Sequence, residues 1–245
     1  MPAVNQFGQP VGDEVPHWCP RPLPQRVAIQ GRFSRLEPLD SAKHGGDLYQ
    51  ANSLDAEGRN WTYLPYGPFP TYDEYILWLT QSASTADPLY FAIIDQQTEK
   101  AVGVCSYLRI DPSHGSIEVG HLNFSPLLQG RPTATDAMYQ MMKYAFELGY
   151  RRYEWKCHSM NGPSRRAAQR LGLSYEGTFR QAAVLKGRNR DTAWFAAIDS
   201  EWPDLQKAFL TWLDPINFDE QGRQKFSLTQ LTSGILKTKD PLVPN

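Results

Sequence analysis

Ser116-Ile-Glu-Val-Gly-His121-Leu-Asn-Phe124-Ser-Pro-Leu-Leu-Gln129-Gly-Arg-Pro-Thr-Ala134-Thr135 is the stretch whose reading decides the fold. Ser116–Phe124 has the apolar pattern of a strand. From Ala134 the period changes: Ala134, Ala137, Met138, Met141, Ala145 and Leu148 recur at helical i, i+3, i+4, i+7 spacing. The long amphipathic helix so predicted stops at Gly149, a C′ glycine. A strand that feeds a helix through a glycine-containing turn presents free backbone N–H groups at the helix start. Such a start binds anions, and Arg131 adds a positive charge.

Outward from this junction, Leu89–Asp95 and Ala101–Ile110 read as strands joined to each other and to Ser116–Phe124 by the polar turns Gln96–Lys100 and Asp111–Gly115. Short turns predict an antiparallel meander. Further upstream, Val27–Leu39 reads as a strand or a hairpin turning at Gln30-Gly31. Ser41 is placed to cap a helix running to about Ser53. Thr71, with Glu74 as its capping-box partner, opens a second helix through about Ser82, whose apolar face is Tyr75, Ile76 and Leu79. Downstream come a strand at Tyr153–Ser159, a short helix at Ser164–Leu171 capped by Ser164, two strands at Leu173–Phe179 and Gln181–Lys186, and a last strand at Thr192–Ile198. A C-terminal helix over 202–213 has Pro203 in its first turn. The order predicts a mixed α/β domain around one central sheet. Three segments result: an extended arm over 1–26, holding six of the 19 prolines, a domain over 27–214, and an arm or packed tail over 215–245.

The 245 residues carry a formal charge of −1, with 41% hydrophobic and 12% aromatic residues, which excludes a disordered solvating chain and argues against bulk-charge nucleic-acid binding. The average hides a basic stretch: residues 151–190 hold ten Lys/Arg against two acids. An anion partner or a solvated basic face accounts for it. Cys19, Cys105 and Cys157 have neither disulfide-framework nor metal-knuckle spacing, so no metal is expected. With no visible signal peptide or membrane span, the reading is a cytoplasmic protein without membrane or nucleic-acid partners.

Four markers in order, Glu118-Val-Gly-His121, the Gln129–Ala134 turn, Asn161-x-x-Ser164 and Leu171-Gly-Leu-Ser-Tyr175-Glu-Gly177, make the chain resemble the GNAT superfamily of acetyl-CoA-dependent N-acetyltransferases, in particular its RimJ/RimL-like branch. The resemblance runs from about Val27 to Ile198. It implies a GNAT-like α/β fold, with a mostly antiparallel central sheet flanked by helices and a splayed parallel strand pair, Ser116–Phe124 beside Tyr153–Ser159. It implies acetyl-CoA as cofactor, its pyrophosphate on Gln129, Gly130, Arg131, Thr133 and Ala134. Pro132 departs from the family's glycine there and removes one N–H donor. A bulge near Leu122, Asn123 and Phe124 is expected to free an amide for the acetyl carbonyl. Asn161 is expected to meet the pantetheine arm, and Arg165 or Arg166 the nucleotide phosphates, with Arg151, Arg152 and Arg170 left as surface charges.

An amine must lose a proton before it attacks a thioester. The resemblance assigns Glu118 as general base, directly or through water. Ser164, with Tyr175 behind it, is the candidate to protonate the leaving thiolate. His121 reads as a structural replacement for the family's aromatic residue. Trp61, Tyr63, Tyr66 and Phe69 are placed as an acceptor slot or as a loop packed on the core, and Asp191 with the Gly187–Arg190 turn as its far side. The acceptor, a protein N-terminus or a small-molecule amine, stays open, as does a homodimer through arm and tail. The competing readings are a non-catalytic acyl-CoA-binding module and a nucleic-acid binder using residues 151–190.

Overall fold

The computed structural model describes residues 3–243; the first two residues of the expected arm and the last two of the expected tail lie outside the described residues. The arm contributes a small hairpin, β1 (Ala3–Val4) with β2 (Pro10–Val11). It then runs across the domain surface. The Trp18 indole donates to Ser113 O at 2.8 Å, and the Arg21 guanidinium stacks on the same ring at 4.3 Å.

β3 (Ile29–Gln30) and β4 (Ser34–Pro38) form the hairpin expected at Gln30-Gly31. Buried Asp136 closes it by accepting from the amides of Phe33 (2.6 Å) and Ser34 (2.8 Å). A Cβ on Gly31 would come within 2.4 Å of that carboxylate, so only glycine fits there. α1 (Ser41–Ser53) is capped one residue earlier than expected. The Asp40 carboxylate, not Ser41, accepts from Ala42 and Lys43. The 3₁₀ turn Arg59–Trp61 precedes α2 (Tyr72–Ser84), where Thr71 accepts from the Glu74 amide as expected.

β5 (Leu89–Asp95), β6 (Lys100–Asp111) and β7 (Ser116–Phe124) are the antiparallel meander. α3 (Pro132–Glu147), β8 (Arg152–His158) and α4 (Gly162–Arg170) follow. α4 is capped by Asn161, whose side chain accepts from the Ser164 amide, so the expected cap sits inside the first turn. The two strands expected over 173–186 are one, β9 (Ser174–Leu185), paired with β10 (Arg188–Ile198). The hairpin absorbs a register shift between Arg190 and Thr192, and Gln181 adopts a positive φ, so the polar break at Arg180-Gln181 bends the strand without ending it. α5 (Trp202–Leu213) and α6 (Leu228–Thr232) complete the chain.

The eight-stranded sheet has the order β3-β4-β5-β6-β7-β8-β10-β9, and every neighbouring pair is antiparallel except β7–β8. Both faces are covered. α3 and α5 pack on one side around Phe91, Tyr107, Met141 and Phe209; α1, α2 and Trp61 pack on the other around Leu48, Tyr75 and Leu79. The tail beyond Asp214 packs rather than extending free. Leu228 is fully buried, and the Asp240 carboxylate pairs with Arg165 inside the protein.

Candidate active site

The parallel pair β7–β8 is bonded only from Ser116–Arg152 to Val119–Trp155. Beyond that point β7 runs on to Phe124 while β8 stays attached to β10 as far as His158–Thr192. The two strands separate, and two connected cavities fill the gap. A larger one of about 800 Å³ faces α3 and α4; a smaller one of about 270 Å³ lies on the α1–α2 side. They share Asn60, Tyr63, Leu122, Trp155, Asn161 and Ser164, so they are two ends of one groove.

The split has a local cause. Gly120 pairs with Ser106 and Asn123 with Val104, so His121 and Leu122 together face Cys105 alone. This bulge lies at the near edge of the segment expected to carry it. His121 pays for the bulge with a positive φ of 50°.

The larger end is built around the start of α3. Gly130 turns the chain with φ 72°, Pro132 occupies the first helical position, and no side chain caps the helix. The missing Pro132 N–H is one that no helix start uses; the Ala134 amide donates to Arg131 O (3.1 Å) and the Arg131 amide to Leu128 O (3.2 Å), so Gly130 and Thr133 carry the amides left for a ligand. Gln129, Gly130, Arg131 and Ala134 line the cavity; of the two buried threonines, Thr135 lines it and Thr133 does not. Gln129 donates to Asn60 Oδ1 (2.9 Å) and Phe124 O (2.8 Å), which ties the end of β7 to the Arg59–Trp61 turn. Leu122 and Phe124 line this end, whereas the Asn123 side chain is buried outside it with both polar atoms unpartnered.

Two arginines exchange the places expected of them. Arg165 is 2% exposed, donates to both Asp240 oxygens and to Ser159 O, and lines neither cavity. Its charge is consumed in anchoring the tail. Arg166 is exposed and also lines neither end. Arg170, expected at the surface, lines the larger end, donates to Thr135 Oγ1 at 3.1 Å and stacks on Trp212 at 5.1 Å; burial lowers its pKa. Arg59 and Arg131 are the other cations there, and Trp212, Phe218 and Gln224 from α5 and the tail form one wall. The sequence held no sign of Asp240, whose carboxylate takes Arg165 away from the groove.

At the junction, Trp155 Nε1 donates to Ser164 Oγ at 3.0 Å. Ser164 Oγ is thereby an acceptor, and its hydroxyl lies against the buried Cys157 thiol while lining both ends of the groove. Asn161 lines both ends while its Oδ1 holds the Ser164 amide. Tyr175 is not behind Ser164 in the groove. Its hydroxyl bonds Thr178 Oγ1 at 2.9 Å, its ring packs on Phe195, and it lines neither end.

The smaller end is strongly ionic. Glu118, 2% exposed, takes Arg109 Nε (2.7 Å) and Nη2 (2.9 Å) and Lys156 Nζ (2.9 Å). Lys156 also reaches Glu154 at 2.8 Å and sits over the Trp194 ring at 3.6 Å. Arg109 has φ 47°, held there because the Asp87 carboxylate accepts from its amide and from that of Ile110. Arg190 enters from β10. His121 lines this end, stacks on Tyr66 at 5.7 Å, and has Nδ1 3.0 Å from the Tyr66 hydroxyl. Burial first, then the charges of Arg109 and Arg190, push its pKa down to about 4.

Of the expected aromatic slot, only Tyr63 lines the groove, donating to Met160 O at 3.2 Å across its mouth. Trp61 is 4% exposed and packs edge-on against Tyr66 and Phe69, so these three form a self-packed cluster behind the site. Lys186, at the β9–β10 turn, holds that cluster's backbone by donating to Trp61 O and Gly67 O, both at 2.9 Å. Asp191 points elsewhere, accepting from the Gln181 amide and the Asn189 side chain. The contributions of Arg59, Asn60, Arg109 and the tail had no sequence signal: each reaches the groove through tertiary packing.

Residues 35–174 match the family model described as an acetyltransferase (GNAT) domain. Among solved structures, a GCN5-related N-acetyltransferase from Brucella melitensis is 48% identical with a TM-score of 0.88, covering 89% of this chain and all of that one. An acetyltransferase of the GNAT family from Chromobacterium violaceum is 40% identical, TM-score 0.74, covering 80% of this chain and 98% of that one. The uncharacterized N-acetyltransferase p20 of Bacillus licheniformis is 29% identical over 113 residues, which span 46% of this chain and 63% of that relative's length.

Proposed function

Because the chain belongs to the GNAT acetyltransferases, we propose that it transfers an acetyl group from acetyl-CoA to a primary amine by direct attack within the β7–β8 groove. The observation that carries this reading is the separation of β7 from β8 after Val119–Trp155, with Ser164 and Glu118 on either side of the junction. The larger end suits a phosphate-bearing donor, since the α3 start is uncapped and Arg59, Arg131 and Arg170 line it.

Acetyl-CoA brings the activated thioester. The α3 amides and the three arginines hold phosphates. Asn161 and the unpaired β8 edge hold the pantetheine arm. Ser164, its oxygen already engaged by Trp155, donates its proton toward the departing sulfur. Three donors occupy Glu118, which leaves one of a carboxylate's four acceptor positions for the amine's proton, directly or through water. No helix among the described residues is long and apolar enough to cross a membrane. The test is thiol release from acetyl-CoA across a panel of amines, paired with calorimetric acetyl-CoA binding. Amine-dependent release supports the enzyme reading. Binding with only slow, amine-independent hydrolysis supports an acyl-CoA-binding module instead.

A further inference from the structure

The smaller end of the groove is lined by three permanent cations, Arg109, Lys156 and Arg190, and a single carboxylate, Glu118. Their partners differ. Arg109 spends its guanidinium on Glu118, and Lys156 bridges Glu118 and Glu154. Arg190 makes no ion pair among the described residues, and its Nε is buried without a hydrogen-bond partner. Two acids on flanking segments are already taken: Asp191 by Gln181 and Asn189, Asp87 by the Arg109 and Ile110 amides. Burial disfavours the cationic form of Arg190; the neighbouring Cys157 and Glu118 offset this in part, and Arg109 adds to it.

An unpaired, partly desolvated guanidinium is costly unless a ligand completes it, and its fork of donors matches a carboxylate or phosphate. The β10 register puts it at the far wall of the groove: Arg190 is followed by the bulge, and Thr192 then pairs with His158 at the end of β8. An anion on Arg190 therefore lies across the gap from Glu118, where the amine is to be deprotonated. The same surplus of positive charge repels a polycation and favours the neutral, nucleophilic form of an amine.

Resting on the acetyltransferase reading, we propose that the acceptor is an amine that also carries an anionic group, and that Arg190 binds that group and sets this specificity. Amino acids and phosphorylated amines share this chemistry; polyamines lack it.

The experiment measures kcat/KM for matched acceptors: L-amino acids, the corresponding amino acid amides, phosphoethanolamine and spermidine. At least tenfold preference for the carboxylate or phosphate members over amides and spermidine is expected, and the two anionic arms tell which anion is used. Arg190→Gln is expected to raise KM for the preferred acceptor at least tenfold with a smaller change in kcat, shrinking the preference over its amide, and Arg190→Lys to restore part of it. Calorimetry supplies a readout without turnover: N-acetyl amino acids or N-acetyl phosphoethanolamine bind the wild type and not Arg190→Gln, while acetyl-CoA affinity reports intact folding. Amides or spermidine used as well as the anionic acceptors, or equal losses for charged and neutral acceptors in Arg190→Gln, overturn the proposal and leave the acetyltransferase reading standing. Failure of acetyl-CoA to bind overturns both.

Discussion

The two ends of the groove are made by different means. The larger end has a local nucleus: a strand, a glycine turn and a helix start, contiguous from Ser116 to Thr135, place backbone amides where phosphates can bind, and the Arg59–Trp61 turn, α4, α5 and the tail wall it in. The smaller end is assembled from β6, β7, β8, β10 and the loop before α2, and its working groups are charged side chains and non-glycine residues at positive φ, Arg109 and His121. Backbone donors need only a fold and are indifferent to what lies beyond the phosphates. Charged side chains from several elements discriminate. On the proposed function the difference separates a generic donor end from a specific acceptor end, each of which mutation should disturb in its own way.

The largest effect is expected at the acceptor end. Glu118→Gln should lower kcat by roughly 10²–10⁴-fold, as loss of a positioned proton acceptor does, with acetyl-CoA affinity kept within threefold. Equal losses of both, measured by steady-state kinetics and calorimetry, would make Glu118 a structural tie for Arg109 and Lys156.

Next, Arg165→Ala strands the buried Asp240 carboxylate and should cost about 3–5 kcal/mol of stability in a urea titration. The tail that walls the donor end should loosen with it. No change in stability would show that the Arg165–Asp240 pair does not anchor the tail.

His121 contributes a pH signature to the acceptor end. Its folded pKa, about 4, lies below its unfolded value near 6.5, so the unfolded chain binds more protons between these limits. The associated stability is fully present above pH 6.5 and is lost as pH falls toward 4, by at most about 3 kcal/mol. His121→Phe should flatten this part of the melting-temperature profile between pH 4 and 7.

The smallest effect falls at the donor end. Gly130→Ala meets no neighbour, yet its φ of 72° strains a side chain, so stability should drop by about 1 kcal/mol and acetyl-CoA binding weaken by several-fold. No change in either would detach this turn from the phosphate site.

This contrast also marks how far the sequence could be read. The meander β5–β7, helix α3 and its Gly149 stop follow from periodicity and turn residues, and β5 and β7 fall at their expected bounds. The Gln129–Ala134 turn, the proposed pyrophosphate site, was legible because its residues are contiguous. At the smaller end Glu118, Tyr63 and the turn that carries Arg190 were legible, but the charges that meet them were not. Arg109 and Glu118 are nine positions apart on adjacent strands, and Arg190 reaches them only because β10 crosses beside β8. For Trp61, Tyr66 and Phe69 the sequence left slot and packed loop open, because aromatic residues in either role look alike; the structure has the packed loop. Asp40 displaced Ser41, and Asn161 displaced Ser164, since neighbouring polar residues compete for one cap.

The most direct test of the groove is a crystal structure of the protein with CoA. The account expects the pantetheine arm between β7 beyond Val119 and β8 beyond Trp155, the sulfur near Ser164, and the pyrophosphate at Gly130–Ala134. CoA bound elsewhere, with β7 and β8 still apart and the α3 start empty, would contradict it.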